Sequence, residues 1–192
     1  MKKILQRHSK VLRKIAKEIK LKEIKTTKIQ KVLKEMSTAL KSQHDGVAIA
    51  APQIGYSLRI FIVSEKIFHK DFEKNMEEKL VNQNNLVTEK ENTKNNTPNI
   101  IDKNLIFINP KISKRSRKKD WVQEGCLSVR WLYGKVWRSE KAYITAYDEK
   151  GKKFSRGASG LLAQIFQHET EHLNGILFID HAKDIKEDKP LK

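Results

Sequence analysis

The segment Gln167-His168-Glu169-Thr170-Glu171-His172 contains the pattern H-E-x-x-H. On an α-helix, residues four apart lie on one face with Cβ atoms about 5–6 Å from each other. His168 and His172 can then direct two imidazole nitrogens at one metal ion. Glu169 sits about 100° further round the helix, beside such an ion without being an obvious ligand. That position suits a general base acting on metal-bound water. The flanking residues support a helix. Leu161, Leu162, Ile165 and Phe166 precede the pattern at helical spacing, Ser159 is placed to cap the start, and Gly175 to end it. The histidines extend the apolar side of this helix. Unpaired polar groups are costly in a core, so two histidines and a glutamate there favour a site over ordinary packing. The rest of the chain must fold around this helix.

Two histidines do not complete a catalytic site, which typically has three protein ligands and one open position. One metalloprotease pattern continues H-E-x-x-H-x-x-G-x-x-H. Gly175 fits it, but its last position is Phe178, and His181 comes three residues too late. A downstream glutamate would have to be Glu187, in a charged tail. The remaining candidate is the only cysteine, Cys126, within Gln123-Glu124-Gly125-Cys126-Leu127-Ser128.

A chain of 192 residues holds one domain with a real core. A single cysteine excludes an internal disulfide and fits a reducing compartment. No run approaches the roughly 20 apolar residues of a membrane span, and the basic N-terminus has no apolar signal core. A cytoplasmic, monomeric protein is expected, with no membrane partner. The net charge of +17 suits attraction to RNA, the ribosome or another anionic surface. The basic residues are nevertheless spread along the chain.

Within residues 1–24, Val11, Leu12, Ile15, Ala16 and Ile19 are candidate core contacts. Ile29, Val32, Leu33, Met36, Ala39 and Leu40 recur at helical spacing, and Thr26 or Thr27 can cap the start; a helix is predicted over 27–42. Residues 47–55 are small, apolar and bounded by turns, a buried strand and turn with Gln53 at the surface. Residues 58–64 and 105–109 read as strands, the second stopped by Pro110. Residues 66–103, rich in Asn and Lys, read as an insertion with a short helix near 68–80. Residues 111–120 form a cationic loop or hairpin, 122–132 are extended around Cys126, and 142–147 are a strand. Residues 148–151 turn into 152–155, and 183–192 are a short polar tail. The expected class is α+β: short, mostly antiparallel strands packed around a central helix carrying H-E-x-x-H, in a single domain over 1–192.

Three separated stretches also line up with one family. Residues 46–53 resemble the G-x-G-L-A-A-P-Q motif of peptide deformylases. Glu124-Gly125-Cys126-Leu127-Ser128 is similar to their E-G-C-L-S motif letter for letter, and residues 167–172 resemble their Q-H-E-x-D-H motif. Order and spacing agree. The resemblance implies a hydrolase that removes the N-formyl group from the initiator methionine of nascent proteins. It implies Cys126, His168 and His172 as metal ligands and Glu169 as the acid–base residue. It implies that the amide of Gln53 and the backbone N–H of Leu127 stabilise the oxyanion. A formylated peptide would lie extended along Gly46, Val47 and Ala48 and along residues 123–125, including Glu124 and Gly125. Its methionine would enter a pocket formed by Val47, Glu124, Leu161 and Ile165. The donor set admits Zn²⁺, Ni²⁺, Co²⁺ or Fe²⁺; the resemblance makes Fe²⁺ the expected ion. The ribosome, where nascent chains emerge, is the expected partner.

Three positions depart from the pattern. Ala48 replaces the motif's second glycine, Glu171 its aspartate, and Gln164 a commonly apolar residue. Glu171 is expected to pair with Arg138 and so orient the metal helix. Two other readings compete: an H-E-x-x-H metalloprotease cutting internal peptide bonds, and a basic ribosome- or RNA-binding protein without activity.

Overall fold

The computed structural model describes residues 1–69, 72 and 103–189. The described residues include two complete helices, α1 (Thr27–Lys41) and α2 (Gly160–Leu173), and eight strands. The strands are β1 (Ala48–Ala50), β2 (Ile60–Val63), β3 (Leu105–Arg115), β4 (Lys119–Gly125), β5 (Leu132–Ser139), β6 (Lys141–Tyr147), β7 (Lys153–Ser159) and β8 (Lys183–Glu187). All pairings between them are antiparallel. They form a five-stranded sheet ordered β1-β2-β3-β6-β7 and a three-stranded sheet ordered β4-β5-β8. The α+β class is as expected, and α2 carries His168 and His172 in the interior.

Strand β2 explains the layering. Its four residues, Ile-Phe-Ile-Val, are all buried, and alternate side chains point to opposite faces. Ile60 and Ile62 pack with Ile29, Val32 and Met36 of α1. Phe61 and Val63 pack with Phe107, Ile144 and Phe166 on the α2 side. The larger sheet is therefore sandwiched between the helices. Phe166, two residues before His168, meets Phe107 at a ring-centroid distance of 5.2 Å, and Phe107 stacks on Phe61 at 4.5 Å. This aromatic column fixes α2 on the sheet.

Helix α2 ends as its sequence suggests. Gly175 adopts φ +76°. Its N–H donates to the His172 carbonyl, and the Ile176 N–H donates to the Glu171 carbonyl, the paired closure of a glycine-terminated helix. A Cβ at Gly175 would stand 2.8 Å from the backbone carbon of Arg13, so glycine is needed on two counts. Ser159 occupies the N-cap position, but its side chain makes no capping bond. The N-terminal segment crosses the end of α2, where the Ala16 N–H donates to the Leu173 carbonyl. Leu12, Ala16 and Ile19 are buried as expected, whereas Ile15 is 74% exposed.

Three expectations need correction. Strand β3 does not stop at Pro110 but runs to Arg115, and its pairing with β6 shifts register between Ile108 and Lys111. Asn109, at φ +50°, sits in that irregularity. An irregular step accommodates the proline, which has no N–H to offer the ladder. The Asn109 side chain bonds the Ile19 backbone in both directions, accepting from its N–H at 2.9 Å and donating to its carbonyl at 2.7 Å. Much of the cationic stretch is accordingly strand: β3 takes it to Arg115 and β4 resumes at Lys119. Residues 183–187 are not a loose tail but strand β8, paired with β5 although every residue in it is exposed. The short helix near 68–80 and nearly all of the insertion lie outside the described residues; a 3-10 turn covers Glu65–Phe68. No helix among the described residues is long and apolar enough to cross a membrane.

Candidate metal centre and active-site cleft

The chain reverses direction immediately after β4, where the Val129 N–H donates to the Cys126 carbonyl. A side chain at Gly125 would approach the Tyr133 ring to 2.6 Å, so glycine lets the turn close against β5. The turn points Cys126 at α2. The ligand atoms of Cys126, His168 and His172 all lie within 4.8 Å of one another. Cys126 Sγ is 3.1 Å from His172 Nε2. Among the described residues this is the one His/Cys/Asp/Glu group able to share an ion. Glu187 lies in exposed β8, and His181 contacts Glu171 at 3.4 Å instead.

The donor set fits a divalent ion. His168 Nδ1 is 2.8 Å from Glu124 Oε2, which leaves its Nε2 for coordination. His172 is buried, and its Nδ1 has no hydrogen-bond partner. Burial holds the His172 imidazole well below its ordinary pKa, in the neutral form that can ligate. Burial acts the same way on His168, but hydrogen bonds with Cys126 and Glu124 overcome it and raise its pKa. A thiolate, two imidazoles and their shared orientation suit Fe²⁺, Zn²⁺, Ni²⁺ or Co²⁺.

Glu169 is 4% exposed, and its Oε2 has no partner among the described residues. Burial raises its carboxyl to about 7; the Glu124 carboxylate adds to this and His168 opposes it. Such a group can both take and return a proton near neutral pH.

Gln53 is buried, not at the surface. It belongs to a 3-10 turn, Ala51–Ile54. Its Oε1 accepts from the Ala50 N–H at 2.7 Å, which fixes the amide. Its Nε2 donates to Ser128 Oγ at 3.1 Å and lies 3.6 Å from Cys126 Sγ. The Leu127 side chain is buried against α1. Its carbonyl accepts from Gln6 at 3.0 Å.

A cleft of about 390 Å³ opens over these groups. Gly46, Val47 and Ala48 form one wall, and the end of β4 with its turn the other. Leu161, Gln164, Ile165, His168 and Glu169 line it from α2. Of the catalytic, metal and substrate candidates, all but His172 line it, and His172 Nε2 lies 3.1 Å from Cys126 Sγ. Glu124 lines the cleft, and its carboxylate is also committed to Arg138, at 2.7 and 2.9 Å, and to His168. Burial alone would raise it; the bonds from Arg138 and His168 outweigh that and hold it at about 2. Arg138 also reaches Glu171 at 2.8 Å. One buried arginine therefore ties β4, β5 and α2 together behind the metal ligands.

A description of the polypeptide deformylase family matches residues 1–188. The chain belongs to the polypeptide deformylase family. Members remove the formyl group from nascent peptides. A peptide deformylase of Borreliella burgdorferi is 34% identical over 147 residues, covering 77% of this chain and 69% of the relative. The chloroplastic peptide deformylase 1A of Solanum lycopersicum is 33% identical over 170 residues, 88% of this chain but 55% of that one. The chain thus spans little more than half of that plant relative. The Met-Ala-Ser-bound crystal structure of the Acinetobacter baumannii class I type b peptide deformylase superposes with a TM-score of 0.69 at 26% identity, covering 93% of this chain and 97% of that one.

Within the deformylase framework the three departures have local explanations. Ala48 lies in β1, in extended backbone that alanine adopts without strain. Glu171 reaches Arg138, as expected. Gln164 donates to the Gln123 carbonyl at 2.9 Å across the cleft. Gln164→Leu removes that bridge and places an apolar side chain beside Leu161 and Ile165 in the cleft. The expected result is a lower KM for formyl-methionyl peptides at similar kcat, checked by steady-state kinetics.

Sequence reasoning missed several contributors. Ser128 holds the Gln53 amide. Gln167 fastens α2 to β5 through both the N–H and the carbonyl of Ser139, at 3.0 and 2.9 Å. Arg130 spans the cleft mouth to Asp45 and Gln43, at 2.9 and 3.1 Å. Arg138, expected from the sequence to pair with Glu171, alternates with Val136 on the buried side of β5.

Proposed function

We propose that this chain, acting as a single domain over 1–192, hydrolyses the N-formyl group from the initiator methionine of nascent polypeptides. The observation that carries this reading is the convergence of Cys126, His168 and His172 with the buried, unpartnered carboxylate of Glu169 on the floor of one cleft. Cys126, His168 and His172 would hold a divalent ion, Fe²⁺ in our reading, which when bound would supply Lewis-acid activation of water. Glu169 accepts the proton released by the water and delivers it to the departing amine. Gln53 Nε2 and the Leu127 N–H donate to the formyl oxygen as negative charge builds on it. The edges offered by residues 46–48 and by the end of β4 take the peptide in extended form. Val47, Leu161 and Ile165 receive the methionine side chain. Glu124, Arg138 and Glu171 hold the ligand helix in place.

Gln53→Ala removes one oxyanion donor. Its expected effect is a loss of about 10²–10³-fold in kcat with bound metal unchanged, read by formate release and metal analysis side by side. The reading as a whole is tested by mass spectrometry of a formylated peptide that also contains internal bonds. Loss of the formyl group alone supports it. Internal cleavage with the formyl group retained identifies an endopeptidase instead. We place the enzyme in the cytoplasm as a monomer that meets its substrate at the ribosome.

A further inference from the structure

We propose that the outer face of the three-stranded sheet is a docking surface for single-stranded RNA, centred on Trp121 and Trp137. On β4 and β5, Val122, Glu124, Val136 and Arg138 turn inward, and the residues between them face out. Trp121 stands directly opposite Trp137 in register. Their ring centroids are 5.2 Å apart, yet the two residues remain 39% and 47% exposed. A cross-strand aromatic pair adds only modestly to sheet stability. Two adjacent exposed tryptophans leave apolar area uncovered that a partner can use.

The surroundings select the partner. Strand β8 brings Lys183 over the Trp121 ring, 4.7 Å from its centroid. Lys119 opens β4 and alternates onto the same face as Trp121. Among the described residues neither Lys119 nor Lys183 makes an ion pair. Neighbouring like charges repel, and an anionic partner relieves that repulsion. Aromatic faces for bases beside lysines for phosphates are the combination that sequence-tolerant recognition of single strands uses. A lipid surface fits less well. The rings lie mid-strand on a sheet whose strands also expose Asp120 and Asp184, carboxylates that an anionic membrane would repel. The other end of β4 lines the cleft, so RNA held here would place the cleft beside an RNA-rich surface from which a peptide emerges. That setting rests on the deformylase reading.

The test is titration of the full chain with a short labelled oligouridylate, followed by anisotropy and tryptophan quenching between about 50 and 200 mM salt. Trp121→Ala and Trp137→Ala are each expected to weaken binding about tenfold or more, while the double phenylalanine variant retains most of it. Lys119→Ala with Lys183→Ala should reduce the salt slope by roughly 1.4, two phosphate contacts at about 0.7 each. Lys22→Ala with Lys25→Ala removes the same charge from the exposed N-terminal segment and should change the slope far less. The proposal is overturned by no RNA binding at low salt, by equal effects of the two lysine pairs, or by tryptophan variants that lower only the melting temperature. Binding to anionic vesicles but not to the oligonucleotide overturns it in favour of a membrane. Deformylation of a free formyl-tripeptide, measured on the same samples, separates the two readings. RNA binding without deformylation defeats the enzymatic reading alone, and deformylation without RNA binding defeats this surface alone.

Discussion

Glu169→Ala is expected to lower kcat for deformylation by about 10²–10⁴-fold, with little change in KM and full retention of metal. The expectation follows from how isolated that carboxylate is. Glu169 is buried among the metal ligands but belongs to none of their hydrogen bonds, and one of its oxygens has no partner. Truncation therefore removes the proton carrier without disturbing Cys126, His168 or His172. It also removes a buried carboxyl whose Oε2 has no hydrogen-bond partner among the described residues, so the melting temperature should hold or rise. Metal analysis, thermal melting and formate release on one preparation check all three points. A rate within a few-fold of the parent would mean that another group moves the proton.

Arg138→Ala is expected to produce the largest loss of stability of any single change near the site. Arg138 is 4% exposed and satisfies Glu124, also 4% exposed, through two hydrogen bonds. Removing one partner of a buried pair leaves an uncompensated charge, at a cost of about 3–5 kcal/mol. For a chain of this size that is a fall of roughly 6–20 °C in melting temperature. Because Glu124 orients His168 and Glu171 rides on the ligand helix, metal affinity should also drop by about 10–100-fold. Glu171→Ala separates the two effects. Its side chain is 21% exposed, so it should weaken metal retention with a much smaller change in melting temperature. Unchanged melting and metal content in Arg138→Ala would show that the arginine neither supports the fold nor orients the ligands.

The parts of the molecule legible in the sequence are those governed by local periodicity or by local chemistry. Helix α1 follows from the recurrence of Ile29, Val32, Leu33, Met36, Ala39 and Leu40, all of them buried. Helix α2 follows from its apolar side and from Gly175. The parts that escaped depend on pairing at long range. Strand β8 has no alternation to betray it, because backbone bonds to β5 rather than side-chain burial hold it. Pro110 signals a strand end in isolation, but the irregular step around Asn109 absorbs it. Gln53 in a run of small residues reads as a surface amide; only the approach of Ser128 and Cys126, more than seventy residues away, makes it part of a site. Glu124 lines the cleft, but its bonds to Arg138 and His168 show only once β5 and α2 stand beside it. Local pattern reveals the helix that bears the chemistry, and the three motifs together reveal the family. Of the support behind the ligands, the sequence suggested the Arg138–Glu171 pair but not the link from Arg138 through Glu124 to His168.

The central claim is that Cys126, His168 and His172 hold one ion at which formyl-methionyl peptides are hydrolysed. Formate release from formyl-Met-Ala-Ser, measured on protein purified without oxygen and with metal quantified in the same samples, tests it most directly, with Cys126→Ala as the comparison. The account predicts about one equivalent of divalent ion and steady turnover in the parent, and loss of both in the variant. A parent that turns over without bound metal, or a Cys126→Ala protein that keeps its ion and its rate, would contradict it.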